Sequence, residues 1–306
     1  MTLYFLLDEE GGDSGIGPVL SDRWDELPDG WTWTAAFGNA KEGEDLLQAA
    51  AAVAKESQDE VLYFTDSPSL LRRLRRMGLP AAGYLHAGSR HRDFSGADYL
   101  VENPEEIGPD SYVRLYQRLS GQPWTIAVTD RLRIREHTPE DLDALYDLYD
   151  DPQARRYLEP LCPDRSEEGA LLRAYIEKVY GLYGYGMWAV CEKESGELIG
   201  RMGFAPYQGG GTPPSFGYLI RADYRRRGMA AEAGRAVLAF ADSELDFPAI
   251  GAQTASDNTA SIALLRSLGF TKQSQENGMQ YFFRRRDTAA KQDGSPAGDR
   301  MGGKQI

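Results

Sequence analysis

The sequence predicts an α/β chain in two parts: a parallel strand–helix region, then an α+β region. Three observations predict it. Before about residue 122, short apolar runs alternate with helical patterns, the mark of a parallel sheet. From about residue 130, runs of period-two alternation join through tight turns, the mark of antiparallel pairing. Between them "SGQPWTIAVTD", Ser120 to Asp130, reads as a break. At 306 residues, two domains fit the length better than one.

In the first part, "LYFLL" (Leu3 to Leu7) and "WTWTAAF" (Trp31 to Phe37) read as strands, and alanine-rich "EDLLQAAAAVAKE" (Glu44 to Glu56) as a helix. "VLYFT" (Val61 to Thr65) is a buried strand by its continuous apolar run. In "SPSLLRRLRRMG", Ser67 suits a helix cap, Pro68 the first helical position and Gly78 the exit. "AAGYL" and "ADYLV" read as further strands, and "DSYVRLYQRLSG" as a helix ending at Gly121. This alternation implies a Rossmann-like sheet over residues 1–122.

The second part opens with "RLRIRE", where Leu132 and Ile134 alternate with charges. "TPEDLDALYDLYDD" follows as a helix capped at Thr138, with Leu142, Leu145 and Tyr149 on one face. "SEEGALLRAYIEKVYG" is a second helix. "MWAVCE", an "ESGE" turn and "LIGRMGFAPY" make a hairpin. The loop "QGGGTPP" leads to the strand "SFGYLI"; later come a strand at "AIGAQT", a helix at "DNTASIALLRSLG" and strands at "FTKQS" and "MQYFF". The expected domain runs from 130 to 286, and the polar, Gly-rich segment 287–306 is expected to be disordered.

The net charge of -13 argues against a nucleic-acid or anionic-membrane partner, since both need a cationic footprint. No apolar run approaches membrane-spanning length, and the N-terminus lacks an export signal. Cys162 and Cys191 make no disulfide framework, and the three histidines make no cluster, so a cytoplasmic setting and no metal are expected.

Against that acidic balance, "GYLIRADYRRRGMAAEAGRAVLAF" (Gly217 to Phe240) concentrates positive charge. A strand runs into a helix through a turn holding Gly228, and Ala230, Ala233, Val237, Phe240 and Ala241 share a face. The first helical turn presents unpaired N–H groups from about Arg227 to Ala231. Small residues at Gly228 and Ala230 admit an anion, the helix dipole favours it, and arginines supply full charges and bidentate donors. Such a turn is built to hold a pyrophosphate. The glycine pattern is neither a Walker loop nor a dinucleotide fingerprint.

Arg225, Gly228 and Ala230 meet the Gln/Arg-x-x-Gly-x-Gly/Ala signature, and the stretch resembles the GNAT N-acetyltransferase superfamily. The element order over about Arg131 to Arg286 is similar too. "GYLIRADYRRRGMAAEA" and Asn258, Ser261, Gly269 and Phe270 in "SDNTASIALLRSLGF" look most like its RimJ/RimL-type branch. The resemblance implies a GNAT acyl-CoA N-acyltransferase α+β fold with a mixed central sheet, and acetyl-CoA as co-substrate. Its pyrophosphate would sit on the N–H groups of Arg226, Arg227, Gly228, Met229, Ala230 and Ala231, framed by Arg225. Its pantetheine would pair with the backbone of Leu219, Ile220 and Arg221, and Asn258 would help hold the cofactor arm. The implied reaction is direct attack by a primary amine on the thioester, the acceptor being a protein N-terminus, an amino acid or a small amine. A homodimer is an admitted assembly.

Where many relatives carry a tyrosine as the thiolate's acid, this chain has Leu265, and where RimL-like members carry a glutamate base it has Ser215. Ser261 stands either as a donor to the thiolate or as an ordinary first-turn hydroxyl. Glu159, in "YLEPL", either lines the acceptor pocket and relays a proton or is a solvated loop acid. The alternative function is a non-catalytic acyl-CoA-binding sensor.

"VLYFTDSPSLLRRLRRMGLPAAGYL" resembles a later motif of haloacid dehalogenase-like (HAD-like) hydrolases, matched at Asp66, Ser67 and Gly78. That family's nucleophile needs Asp-x-Asp after the first strand, and "LYFLLDEEGGD" offers Asp8 and Glu9 without that spacing. The first domain is therefore expected to be a non-catalytic remnant rather than a phosphatase.

Overall fold

The computed structural model describes residues 1–8, 28–38, 44–57, 60–205, 213–245 and 247–286. The chain divides into two compact units, Met1–Gln122 and Pro123–Ile306. The expectations for the tail from Asp287, for Glu9 and for "QGGGTPP" before Pro213 lie outside the described residues.

The first unit runs β1 (Thr2–Asp8), β2 (Thr32–Gly38), α1 (Glu44–Glu56), β3 (Val61–Thr65), α2 (Pro68–Arg76), β4 (Ala81–Tyr84), β5 (Leu100–Val101) and α3 (Pro109–Leu119). Its strands pair in parallel in the order β2-β1-β3-β4-β5. Alternate residues feed two cores. Leu3, Phe5, Leu62 and Phe64 pack under Tyr112 and Leu115 of α3. Tyr4, Leu6, Val61 and Tyr63 pack under Leu46 and Leu47 of α1 and Leu70 and Leu74 of α2. Burial on both faces is why these strands read as continuous apolar runs.

Asp66 follows β3 and is fully buried. His86 donates from Nε2 to its Oδ2 at 3.0 Å, and the Gly88 N–H fixes that tautomer by bonding His86 Nδ1 at 3.2 Å. Arg92 holds the Asp66 carbonyl at 3.1 Å. The Ser67 hydroxyl caps α2 by accepting from Leu70 N–H at 3.4 Å. Both residues of the Asp-Ser pair thus have partners within the fold.

The second unit runs β6 (Thr125–Val128), β7 (Leu132–Arg135), α4 (Leu142–Tyr149), α5 (Arg165–Tyr175), β8 (Met187–Glu192), β9 (Leu198–Ala205), β10 (Ser215–Ile220), α6 (Met229–Glu244), β11 (Ala249–Ala255), α7 (Thr259–Ser267), β12 (Thr271–Glu276) and β13 (Met279–Arg285). Its sheet order is β12-β13-β11-β10-β9-β8-β7-β6. Strand β6 corrects the reading of Ser120 to Asp130 as a plain break. Trp124 and Ile126 are buried there, and the segment pairs antiparallel with β7. Flanking Gly, Pro and Asp residues had obscured a strand of four residues. In α4 Leu145 and Leu148 are buried, and the expected Leu142 and Tyr149 pack half-buried against the same core. A 3-10 turn at Pro139–Asp141 precedes the helix.

All strand pairs of this sheet are antiparallel except β10–β11, which are joined by the crossover helix α6. Helices α6 and α7 cover one face over Trp188, Ile199, Phe204, Phe216 and Ile220. Helices α4 and α5 cover the other over Ala189, Cys191, Leu198 and Leu219.

Candidate acetyl-CoA site

Strands β10 and β11 meet at a single register pair, Ser215 with Gly251, and diverge beyond it. Both run the same way, so the gap widens toward their C-terminal ends, where α6 begins. On β10 the Arg221 N–H bonds the Ile199 carbonyl at 2.8 Å, while the Pro214 carbonyl accepts from Gly251 N–H at 2.9 Å. Backbone groups alternate along a strand. Those of Tyr218, and the Ile220 N–H, therefore face the gap, while those of Leu219 and Arg221 face β9. A strand-like ligand arm would find its partners at Tyr218 and Ile220. Of the three expected backbone positions, the gap thus receives Ile220.

The turn after β10 contains two left-handed positions, Arg226 at φ 60° and Gly228 at φ 78°. Helix α6 begins at Met229 without a side-chain cap, and its first backbone bond from a flanking residue is Glu232 N–H to the Gly228 carbonyl at 3.0 Å. Among the described residues, the N–H groups of Met229, Ala230 and Ala231 meet no acceptor. Three converging donors at the positive end of a sixteen-residue helix suit an anion.

The turn is held from outside. Glu232 accepts from the Thr129 hydroxyl at 2.6 Å, Arg131 N–H at 3.1 Å and Arg131 Nε at 2.7 Å. Arg131 also donates to the Arg227 carbonyl at 3.0 Å. Burial pushes the Glu232 carboxyl up, but these bonds outweigh it and keep it below the usual carboxylate range.

The arginines divide into two kinds. Arg225 was expected to frame the anion, but its guanidinium turns inward, because it meets a carbonyl, an amide and a carboxylate there. Nε bonds the Ile220 carbonyl at 2.9 Å, NH1 bonds Gln153 at 2.8 Å, and NH2 pairs with Asp151. Arg221 is likewise held, by Glu197 and Asp223. Arg226 and Arg227 are exposed, and Arg227 lies over the Tyr224 ring. Arg226 and Arg227 are thus the side chains beside the turn that remain available to a polyanion.

Asn258 is the N-cap of α7, its side-chain oxygen accepting from Ser261 N–H at 3.1 Å. Tyr218, on the strand that lines the gap, is half-buried against the core beneath α7. Burial pushes its phenol up, and the influence of Ser261 acts in the opposite sense. Leu265, where a tyrosine was sought, is buried core. Sequence reasoning looked for the phenol on α7 and missed Tyr218 on β10; strand alternation, which puts Tyr218 on the α7 face with Phe216 and Ile220, was the available signal. Glu159 is exposed on its loop, and no described contact joins it to Ser261 or to the turn.

A second polar group also escaped sequence reading. Arg135 makes a bidentate pair with Asp141 at 2.8 Å on each arm. His137 Nδ1 faces Asp141 at 3.1 Å, and Asp141 also accepts from Thr138 N–H at 2.9 Å. Burial, the largest effect on His137, pushes its imidazole down and leaves it neutral; burial alone would raise the Asp141 carboxyl, but the bonds from Arg135 and His137 hold it well below the usual range. No sequence motif marks this network, because long-range packing assembles it.

Residues 131–271 match the family model described as the acetyltransferase (GNAT) domain. The uncharacterized protein YkkB of Bacillus subtilis is 31% identical over 148 residues, spanning 47% of this chain and 84% of that protein. The chain belongs to the GNAT acetyltransferases. The uncharacterized N-acetyltransferase YoaA of Bacillus subtilis is 28% identical over 162 residues, covering 51% of this chain and 92% of YoaA. A GNAT-family acetyltransferase structure from Bacillus anthracis covers 52% of this chain and 97% of its own at 19% identity and TM-score 0.45. The acetyltransferase uses acetyl-CoA as its co-substrate. The open N–H groups and the diverging strands fit a cofactor with a pyrophosphate and a strand-like amide arm. Among the described residues no helix is long and apolar enough to cross a membrane, and no group of three or more His, Cys, Asp or Glu is placed to hold a metal.

Proposed function

We propose that the acetyltransferase moves the acetyl group of acetyl-CoA to a primary amine by direct attack. The observation that carries this reading is the coincidence of the open α6 N-terminus with the β10–β11 gap: one takes a pyrophosphate, the other the amide arm, and the arm then ends beside Tyr218. In this reading Met229, Ala230 and Ala231 N–H groups, with Arg226 and Arg227, hold the phosphates. Asn258 keeps α7 in place beside the arm, and Tyr218 and Ile220 pair with it.

The chemistry needs a neutral amine, an oxyanion donor and a proton for the thiolate. The C–S bond of the thioester breaks as the C–N bond forms, and the amine proton leaves to solvent. The Tyr218 phenol, kept protonated by its burial, donates toward the departing sulfur. Positioning the two substrates supplies much of the remaining acceleration.

The first unit is read as a HAD-like remnant without phosphatase activity. The burial of Asp66 and Ser67 supports that reading, since a catalytic group must be able to reach a substrate.

Free-thiol release from acetyl-CoA across an amine panel, beside calorimetric CoA binding, tests the proposal. Turnover on at least one primary amine is expected. Binding without turnover on any amine defeats amine transfer, and no binding defeats the site.

A further inference from the structure

We infer that the acceptor is an amino carboxylate, held through its carboxylate by Arg201; this rests on the acetyl-transfer reading above. Phe216 and Ile220 enter the core beneath α6 and α7. Ser215, Gly217 and Leu219, which alternate with them, face the α4–α5 side, and Leu219 lies in that core. The acceptor must approach the gap on this side, because α6 and α7 close the other.

Arg201 of β9 stands directly opposite Leu219 and diagonal to Gly217. Diagonal neighbours lie about 7–8 Å apart, within reach of a long side chain. Gly217 leaves the strand bare there: a Cβ at this position would meet only the Met187 thioether, at 3.7 Å. Arg201 therefore springs from the strand beside the stretch of β10 that borders the gap, on the face the acceptor must use.

Its hydrogen bonding is incomplete. NH1 donates to the Tyr149 hydroxyl at 3.1 Å, and the guanidinium carbon lies 5.9 Å from that ring's centroid. Nε is buried with no acceptor. Among the described residues no carboxylate pairs with Arg201, whereas Arg135, Arg221, Arg225 and Arg284 each have one. A half-buried guanidinium with an empty donor and no counter-charge is costly in a fold that pairs its neighbours. A ligand carboxylate meets that deficit, since the guanidinium fork matches its two oxygens. An acceptor with its amine at the thioester and its carboxylate on Arg201 would be fixed at both ends.

The test compares kcat/KM, by thiol release at saturating acetyl-CoA, for amino acids and for the same amino acids as carboxamides. The wild type is expected to favour the carboxylate member of at least one pair by about tenfold or more, one good charge-assisted contact. R201Q should bring that ratio toward one, chiefly through KM of the carboxylate acceptor, and R201K should restore part of it. A wild-type ratio near one for every pair overturns the inference while acetyl transfer stands, and needs no variant to fold. A ratio unchanged in R201Q overturns it equally. No turnover of any amine removes the acetyl-transfer reading and the inference with it.

Discussion

Arg225 offers the sharpest test, because two roles predict opposite results. As a phosphate ligand it would affect CoA binding and leave the apo fold alone. As an internal clamp it ties the end of β10 to Asp151 and Gln153, ahead of and within the short helix Pro152–Arg155. Arg225→Ala removes three donors and leaves Asp151, whose side chain is 14% exposed, without its counter-charge. Hydrogen bonds to charged groups contribute ~1.5–3 kcal/mol each and are not additive, so a total loss of about 3 kcal/mol is reasonable. For a unit of this size that corresponds to a fall of about 6–12 °C in its unfolding midpoint. Calorimetric melting of the apo protein measures it, and Asp151→Asn provides the other arm of a double-mutant cycle. The cycle should show coupling of about 1 kcal/mol or more. Arg226→Ala should behave in the opposite way, with an unchanged midpoint and CoA binding weakened roughly three- to tenfold. If R225A melts like the wild type and binds CoA at least tenfold more weakly, the clamp argument is wrong.

Gly228→Val should weaken CoA binding at least tenfold by placing a branched side chain at φ 78°, and lower stability by about 1–2 kcal/mol from the left-handed backbone; calorimetric titration and melting report each. Tyr218→Phe should lower kcat by on the order of 10²-fold while CoA still binds, and an unchanged kcat would remove the phenol from the chemistry. His137 titrates at a depressed pKa in the fold, so the unfolded chain binds its proton first. Its contribution is complete above the unfolded pKa near ~6.5 and is lost as pH falls, at up to about 1.4 kcal/mol per pH unit. Chemical denaturation between pH 7 and 5 should show this slope, and His137→Gln should flatten it.

The strands and helices were legible wherever one pattern dominated. Val61 to Thr65 is buried on both sides and reads as an unbroken apolar run, and Met187 to Ala205 forms two largely buried strands marked off by the turn at Ser195-Gly196. Strand β6 was not legible, because four residues between Gly121-Gln122-Pro123 and Asp130 carry too little periodicity to compete with their flanks. The turn after β10 was legible for its backbone conformation and not for its side chains. Gly228 and Ala230 signal space at a helix start in any context. The direction of an arginine depends on what lies within reach: Gln153 and Asp151 for Arg225, Glu197 and Asp223 for Arg221. Those partners are 72, 74, 24 and 2 residues away in the chain, and only the last is near enough to suspect.

That asymmetry has a physical consequence for how an acidic protein holds a polyanion. Side-chain cations near the turn are drawn to the abundant carboxylates, as Arg221, Arg225 and Arg131 all are. Backbone N–H groups cannot be neutralised in this way: their direction is set by φ and ψ, and the left-handed Arg226 and Gly228 fix it. The carboxylates then work for the site instead of against it, because each paired arginine pins a segment of the turn. Glu232 shows the effect most directly. It is an acid in the first turn of the helix proposed to hold the phosphates, where its charge would repel them, yet Arg131 and Thr129 occupy its oxygens and Arg131 extends to the Arg227 carbonyl. Removing Glu232 should therefore weaken CoA binding even though it removes a negative charge. Glu232→Gln, which keeps the shape and loses the ion pair, should lower both CoA affinity and the apo unfolding midpoint, as read by titration calorimetry and melting. Tighter CoA binding in that variant would show that electrostatic repulsion outweighs the fixed geometry of the turn.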